Sequence, residues 1–125
     1  MATQITWLGH STFEIRLGSG VVILVDPWLT NPKFPAGYEL QRVDLLLITH
    51  GHSDHIADAV STAQKFEPTV VSNYEIGLWL ESKGVKNVVG MNKGGKTSSA
   101  GCTIAMVHAQ HSSSIVLPVS LSFAT

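Results

Sequence analysis

The 125-residue chain lacks the features that mark several broad classes of protein. Its eight Lys and Arg residues against nine Asp and Glu give a formal net charge of −1, so there is no basic excess for nucleic-acid phosphates. No apolar run approaches the roughly 20 residues that cross a bilayer. The N-terminus, MATQITWLGH, lacks the basic and apolar regions of a signal peptide. We therefore expect no nucleic-acid partner and no membrane attachment.

Cysteine is also nearly absent, because Cys102 is the only one in the chain. A single cysteine cannot form an internal disulfide, which favours a reducing compartment, and we expect a cytoplasmic protein.

Charge is missing from the last part of the chain, since residues 97–125 contain no Asp, Glu, Lys or Arg. Such a stretch would be adhesive if it were exposed to solvent.

The pattern of apolar residues predicts strands first and then an alternation of strands and helices. Residues 26–42 contain three prolines and predict a long loop. The order of the elements favours a layered α/β fold, and the length suits one domain. The predicted strands are 4–8, 12–17, 21–25, 43–49, 69–72, 87–89 and 102–109, and the predicted helices are 55–66 and 74–83.

Three histidines and an aspartate follow directly on the most apolar strand, in the stretch LLLITHGHSDH at 45–55. Residues two apart in an extended segment point the same way, so His50 and His52 can reach one metal ion. Asp54 and His55 lie at the start of the next predicted helix, where the helix dipole favours a carboxylate. Imidazole and carboxylate ligands suit zinc, and also iron or manganese. This stretch predicts a metal site.

Two other signals have alternative interpretations. GMNKGGKT at 90–97 matches the phosphate-binding pattern G-x-x-x-x-G-K-[ST], which would make the protein a nucleotide binder. A true phosphate loop opens a helix, but a strand pattern follows here, so we interpret 90–97 as a hairpin loop. His108 lies on an alternating apolar face, and we expect it to be packed and hydrogen-bonded rather than functional.

Four stretches together resemble the metallo-β-lactamase superfamily. THGHSDH at 49–55 resembles its His-x-His-x-Asp-His signature. WLGHSTFEI at 7–15, LVDPW at 24–28 and AQHSSS at 109–114 are similar to its small stand-alone metal-dependent hydrolases. The relatives of these hydrolases include ascorbate-6-phosphate lactonases and the N-acylphosphatidylethanolamine phospholipase D. The resemblance covers residues 1–115 and implies an αβ/βα sandwich, of which only the N-terminal half is present.

The resemblance also implies a ligand set. His50 and His52 would bind a first metal ion, with His111 as the third ligand. Asp54 and His55 would bind a second ion, and Asp54 would also accept a proton during catalysis. The expected cofactor is zinc, as one or two ions, with manganese or iron as the alternatives.

Two further residues enter through the resemblance alone. His10 is expected at the edge of the site, contacting the substrate or a ligand rather than the metal. Asp26 is expected to orient a ligand histidine from behind. The implied activity is hydrolysis of a small ester, lactone or phosphodiester by a metal-bound hydroxide.

The family's second half normally supplies an aspartate that bridges the two metals and a last histidine, and IVLPVSLSFAT at 115–125 contains neither residue type. We expect residues 1–115 to be the N-terminal half of the domain and 116–125 to be a divergent tail, produced by truncation or a frame shift. Half a sandwich leaves a sheet face uncovered, which predicts a homo-oligomer, most simply a dimer. The alternative to a hydrolase is a metal-binding fragment without turnover.

Overall fold

The computed structural model describes residues 2–116 and 122–124. Ten strands and three helices form in this part of the chain. The longest of these helices has nine residues, so none of them could span a membrane. In chain order the elements are β1 Gln4–Trp7, β2 Phe13–Arg16, β3 Val22–Val25, β4 Leu45–Leu47, α1 Ser53–Ile56, α2 Ala59–Phe66, β5 Thr69–Asn73, α3 Tyr74–Ser82, β6 Val88–Met91, β7 Lys96–Ser99, β8 Cys102–Ala105, β9 Ser114–Val116 and β10 Ser122–Ala124.

The first six strands form one mixed sheet in the order β1-β2-β3-β4-β5-β6. β1, β2 and β3 pair antiparallel through tight turns, whereas β3 to β6 run parallel. The long loop 26–42 joins β3 to β4, and the helices join the later strands, as parallel connections require. This mixed α/β architecture confirms the fold class that the sequence predicts.

One face of the sheet packs against the helices and forms the core. Leu24, Leu46 and Val70 lie in register on neighbouring strands, and all three are fully buried. Ala63 of α2 and Leu80 of α3 belong to the same cluster. Burial of apolar surface at about 25 cal/mol per Å² makes this layer the main source of stability.

The opposite face of the sheet is also apolar but becomes exposed toward β1. Ile5, Ile15, Ile23 and Leu45 lie in register across four strands. Leu45 is fully buried, whereas Ile5 is 65% exposed at the edge strand. Trp7, two residues further along β1 and so on the same face, is 54% exposed.

The predicted helix 55–66 is wrong in one respect, because the chain forms two short helices with a break between them. The break lies at Asp58, whose backbone N–H donates to the carbonyl of Pro27 at 2.9 Å instead of continuing the helix. The Asp58 carboxylate accepts a 2.6 Å hydrogen bond from the backbone N–H of Leu29. These two contacts join the long loop to the helices.

The predicted strand 43–49 is shortened to β4. Backbone hydrogen bonds to the neighbouring strands still extend from Asp44 to Ile48. The next backbone N–H, that of Thr49, donates to the Asp26 carboxylate rather than to a strand. The extended run therefore ends where the polar cluster begins.

Two antiparallel hairpins complete the described residues. β7 pairs with β8, and the predicted strand 102–109 is shortened to β8, whose last residue, Ala105, lies opposite Lys96. Within residues 2–116 and 122–124, no helix follows the 90–97 stretch, so it lacks the helix of a phosphate-binding loop. The interpretation as a hairpin loop is wrong, because the flanking strands β6 and β7 belong to different sheets and do not pair with each other. β9 pairs with β10. The expected boundary after residue 115 falls within β9, and residues 117–121 and 125 of the expected tail lie outside the described residues.

Candidate metal centre

The polar cluster lies where β3 and β4 end at the same edge of the sheet. Asp26 follows β3 directly, and His50 to His55 follow β4. His10 reaches the same region from the β1–β2 turn, where its φ of +51° places it in the left-handed conformation. Ligands in open α/β sheets gather beyond the carboxyl ends of the strands, and this cluster lies there.

His50, His52 and His111 form a first group of metal-ligating side chains. One ring nitrogen of each lies within 4.8 Å of the others. The ring centroids of His50 and His52 are 4.7 Å apart, and those of His50 and His111 are also 4.7 Å apart. Sequence alone brings only the first two together, whereas the fold adds His111 from 59 positions further along the chain.

Gly51 allows the segment that carries His111 to approach the loop after β4. A Cβ atom at Gly51 would lie 2.9 Å from the carbonyl oxygen of Ser114, which is closer than real side chains permit. The backbone N–H of Gly51 also donates to the Ser113 hydroxyl at 3.0 Å. The glycine and the serine therefore hold the third histidine against the first two.

The protonation of His50 follows from a short hydrogen-bond chain. The Thr49 hydroxyl donates to Asp26 Oδ2 at 2.5 Å, since a carboxylate can only accept. Thr49 Oγ1 lies 2.8 Å from His50 Nδ1, so with its own hydrogen already committed it accepts from the Nδ1–H. The lone pair of His50 is thereby left on Nε2.

His50 Nε2 is buried and has no hydrogen-bond partner among the described residues. Burial lowers the pKa of His50 below its ordinary value, and the nearby His55 imidazole acts in the same direction. A buried, neutral imidazole nitrogen with a free lone pair costs free energy unless a ligand occupies it. The donor set around this atom therefore fits a divalent metal ion.

His10, Asp54 and His55 form a second group within the same 4.8 Å limit. His10 Nε2 lies 2.9 Å from Asp54 Oδ2, and His55 Nε2 lies 3.8 Å from Asp54 Oδ1. The pKa of the Asp54 carboxyl is below its ordinary value: desolvation acts to raise it, but the hydrogen bond from His10 and the electrostatic effect of the adjacent His55 ring outweigh the desolvation. Asp54 therefore stays ionised, as a metal ligand must be.

Asp26 lies behind both groups and is only 2% exposed. Its Oδ2 atom is 2.7 Å from His55 Nδ1, and its Oδ1 atom accepts from the backbone N–H of Thr49 at 2.7 Å. With Nδ1–H donated to Asp26, the lone pair of His55 is on Nε2, on the side of Asp54. Asp26 thus contacts a histidine of the second group, and the orienting role that the resemblance implies for it stays a prediction.

Sequence reasoning missed Thr49 and Ser113. Thr49 joins Asp26 to His50, and Ser113 joins the two segments that carry the histidines. The only available signal was position, since Thr49 directly precedes His50 and Ser113 lies in AQHSSS.

His108 differs from the prediction, because its side chain is exposed at the surface rather than packed.

A cleft of about 780 Å³ opens beside the two groups. His50, His55 and His111 line it together with residues from α3, the β6–β7 turn and the segment after β8. This volume lies within the range of small-molecule sites. The cleft leaves the histidine cluster accessible to a small molecule.

Residues 4–118 match the protein family described as the beta-lactamase superfamily domain. Because the match covers most of the sequence, the chain belongs to this family. The family prediction is therefore confirmed.

Curated proteins that are similar in sequence to this chain are named UPF0173 metal-dependent hydrolases. One from Solibacter usitatus is 51% identical over 114 residues, and one from Caldivirga maquilingensis is 47% identical over 116 residues. The alignments cover 90% of this chain but only 50% and 51% of those relatives. The chain thus spans about half the length of the curated relatives that it matches.

Two solved structures share the fold. A metallo hydrolase from Ignicoccus hospitalis is 36% identical, with a TM-score of 0.79 over 89% of this chain and 50% of that protein. An isothiocyanate hydrolase from Delia radicum gut bacteria is 18% identical, with a TM-score of 0.53 over 78% of this chain and 44% of that protein. The second similarity concerns the fold alone.

Proposed function

We propose that the chain is a metal-dependent hydrolase that acts on a small ester, lactone or phosphodiester. The observation that carries this proposal is the buried Nε2 atom of His50, which has no partner among the described residues and faces two other histidines. The names of the relatives support the reaction class. The shape of the cleft supports a small-molecule substrate.

The proposed ligands divide into two sets. His50, His52 and His111 would hold the first ion, and Asp54 with His55 would hold the second. The proposed metal is zinc, because imidazole and carboxylate ligands suit it; manganese and iron accept the same ligands. A divalent ion in such a site activates water near neutral pH and polarises the group under attack.

The chain's own residues orient the site and move the proton. Asp26 fixes the ring of His55 directly and that of His50 through Thr49, so both imidazoles present Nε2. His10 holds Asp54 through Oδ2, which leaves the two lone pairs of Oδ1 for the proposed metal contact and for the proton of the attacking water. His10 therefore acts by positioning Asp54.

Metal content per chain tests the proposal. The protein is loaded with Zn²⁺, dialysed exhaustively and measured by elemental mass spectrometry, with His52→Ala and His108→Ala as matched variants. We expect retained zinc in the wild type and in His108→Ala, and one ion fewer per chain in His52→Ala, because of these two histidines only His52 belongs to a ligand group. Absence of zinc from the wild type would contradict the proposal.

A metal-binding protein without turnover is the second candidate, because the chain spans only half the length of its relatives. Stoichiometry and activity separate the two candidates. Two ions per chain with metal-dependent hydrolysis of ester, lactone or phosphodiester substrates would support the hydrolase. One ion, with none of these substrates hydrolysed, would support the second candidate.

Three further proposals concern the whole chain. Residues 1–115 would make up one half of the family's sandwich, which is in keeping with the coverage of its relatives. A symmetric dimer would cover the apolar sheet face that is exposed at Ile5 and Trp7. A cytoplasmic location would suit the single cysteine.

A further inference from the structure

The cleft beside the histidine cluster contains a lysine that the proposed hydrolysis does not use. Lys93, in the turn between β6 and β7, lines the same cleft as His50, His55 and His111. It belongs to the 90–97 stretch that matches a phosphate-binding loop but lacks the helix of one. The stretch therefore has no helix N-terminus with which to bind a phosphate.

Backbone hydrogen bonds hold Lys93 beside the segment that leads to His111. The N–H of Gly94 donates to the carbonyl of Met106 at 2.7 Å, and the N–H of Met106 donates to the carbonyl of Gly95 at 3.0 Å. Gly94 adopts a φ of +89°, which favours glycine at this turn. These hydrogen bonds between the β6–β7 turn and the segment after β8 thus fix the backbone of Lys93 relative to the histidine cluster.

The ammonium group of Lys93 has unused hydrogen-bonding capacity. Its Nζ atom lies 3.5 Å from His108 Nδ1, which can accept one of its three N–H groups. Within the part of the chain that the structure describes, no ion pair joins Lys93 to a carboxylate, although Glu75 lines the same cleft. Two N–H donors and a full positive charge remain for a ligand.

The rest of the lining suits a substrate with a carbon chain. Met106, Val107 and Ala109 contribute apolar surface to the cleft, and Asn73 and Asn92 contribute neutral polar groups. A ligand in this cleft would meet the histidine cluster at one place and the ammonium at another. The two places select for a molecule with two distinct functional groups.

We infer that Lys93, oriented by His108, binds an anionic group of the substrate, a carboxylate or phosphate separate from the bond that is cleaved. This inference rests on the proposed hydrolase function and names the class of substrate that the same site takes. Lys93 is a specificity residue and not part of the hydrolytic machinery. Its removal should therefore weaken substrate binding without abolishing the reaction.

Two chromogenic esters of matched carbon chain test the inference: p-nitrophenyl valerate, which is neutral, and mono-p-nitrophenyl glutarate, which carries a terminal carboxylate. We expect Lys93→Met to raise KM for the glutarate ester by about tenfold, which corresponds to about 1.4 kcal/mol of lost binding, with kcat little changed. KM for the valerate ester should not change. Lys93→Arg should retain the preference, because it keeps the charge.

Lys96→Met is the matched control, since Lys96 lies three residues away on β7 and does not line the cleft. Lys96→Met should leave KM unchanged for both esters. An equal effect of Lys93→Met on both esters, or no effect on either, would overturn the inference while leaving the hydrolase proposal in place.

A binding measurement separates failure of the inference from failure of the hydrolase proposal. Glutarate and inorganic phosphate are titrated into metal-free protein at about pH 8, where unperturbed histidines are neutral, and the backbone amides of Gly94 and Met106 are followed by NMR. Binding of either anion that is lost in Lys93→Met and kept in Lys96→Met would support the inference even if no ester is hydrolysed. The anion that binds more tightly identifies the group. Failure of both anions to bind in a Lys93-dependent way would contradict the inference.

Discussion

Asp26 contributes more hydrogen bonds to the candidate centre than any single ligand does. Its carboxylate accepts from the backbone and hydroxyl of Thr49 and from His55, and through Thr49 it also determines the tautomer of His50. Its φ of +46° is one that Asn and Asp tolerate better than most residues. The chemistry of two histidines therefore depends on one buried carboxylate.

Asp26→Asn should lower zinc affinity by about 10- to 100-fold. Asparagine has one acceptor oxygen in place of two, so it cannot accept from the Thr49 backbone N–H and also from the Thr49 hydroxyl and His55 Nδ1–H. This loss weakens the preference for the tautomer with its lone pair on Nε2. The measurement is a competition titration with a chelator. Asp44→Asn is the control, because Asp44 accepts from Val22 and Arg42 away from the site and should leave the affinity unchanged. Equal affinities for wild type and Asp26→Asn would show that Asp26 does not orient a ligand.

A second buried carboxylate, Glu14, stabilises the sheet rather than the site. It is fully buried on β2, and its Oε1 atom accepts from Arg16 at 2.7 Å and from the Tyr38 hydroxyl at 2.8 Å. Glu14 Oε2 has no partner among the described residues. The nearby Glu14 carboxylate raises the pKa of Arg16. Burial is the larger cause that raises the pKa of Tyr38, and the hydrogen bond to Glu14 is the next. Glu14 thus joins the long loop to β2.

Tyr38→Phe should lower the free energy of unfolding by about 1.5–3 kcal/mol, the usual value of a hydrogen bond to a charged group. Urea denaturation followed by circular dichroism measures the change. Tyr74→Phe makes the same chemical change at a tyrosine that is 53% exposed and should be neutral. Similar losses in the two variants would mean that the contact between Tyr38 and Glu14 contributes nothing specific.

The turn between β1 and β2 brings His10 to the site, and its shape depends on Gly9. Gly9 has a φ of +91°, and a Cβ atom there would collide with the side chain of Asn31 and lie 2.7 Å from the backbone carbon of Lys33. Asn31 cannot move easily, because it is 4% exposed and donates to the carbonyl oxygens of Leu8 and Trp28. The turn and the long loop are therefore packed against each other.

Gly9→Ala should be more destabilising than Gly20→Ala, which provides the matched comparison. Both positions have nearly the same positive φ, but nothing lies within 4 Å of a Cβ atom at Gly20. We expect the backbone strain alone, about 1–2 kcal/mol, at Gly20, and a further 1–3 kcal/mol from overpacking at Gly9. Urea midpoints measure both. Equal midpoints for the two variants would show that the long loop moves away from a Cβ atom at Gly9 without any loss of stability.

The sheet as a unit has one face that the helices cover and one that ends in exposed apolar residues at β1. Because β1 is also an edge strand, both its face and its backbone are available to a second chain. The proposed dimer uses this surface.

Ile5→Lys should weaken the dimer by about tenfold or more, since a symmetric interface would place a new charge on both copies. Sedimentation velocity at micromolar concentration measures the association. Leu78→Lys adds the same charge on the exposed side of α3, where Leu78 is 48% exposed, and should leave association unchanged. A monomer in the wild type would rule out the proposed assembly.

The amino-acid sequence was sufficient for the features that depend on neighbouring residues. The period of apolar residues predicts the order of β1 to β6 and the helical segments between them but misses β7, β9 and β10. The spacing of His50, His52, Asp54 and His55 predicts a metal site. Both follow from local backbone geometry, in which side chains two or four positions apart share a side. His111, His10 and Asp26 could be assigned only through the resemblance to a known family.

Only the tertiary structure decided the features that depend on residues far apart in the chain. The helix breaks at Asp58 because of contacts with Pro27 and Leu29, and no local pattern records those partners. In the same way, Thr49 obtains its role from Asp26, and Lys93 enters the cleft through the pairing of Gly94 with Met106. Long-range hydrogen bonds form only once the sheet has brought the strand ends together, so the direction of each lone pair and the lining of the cleft are properties of the fold.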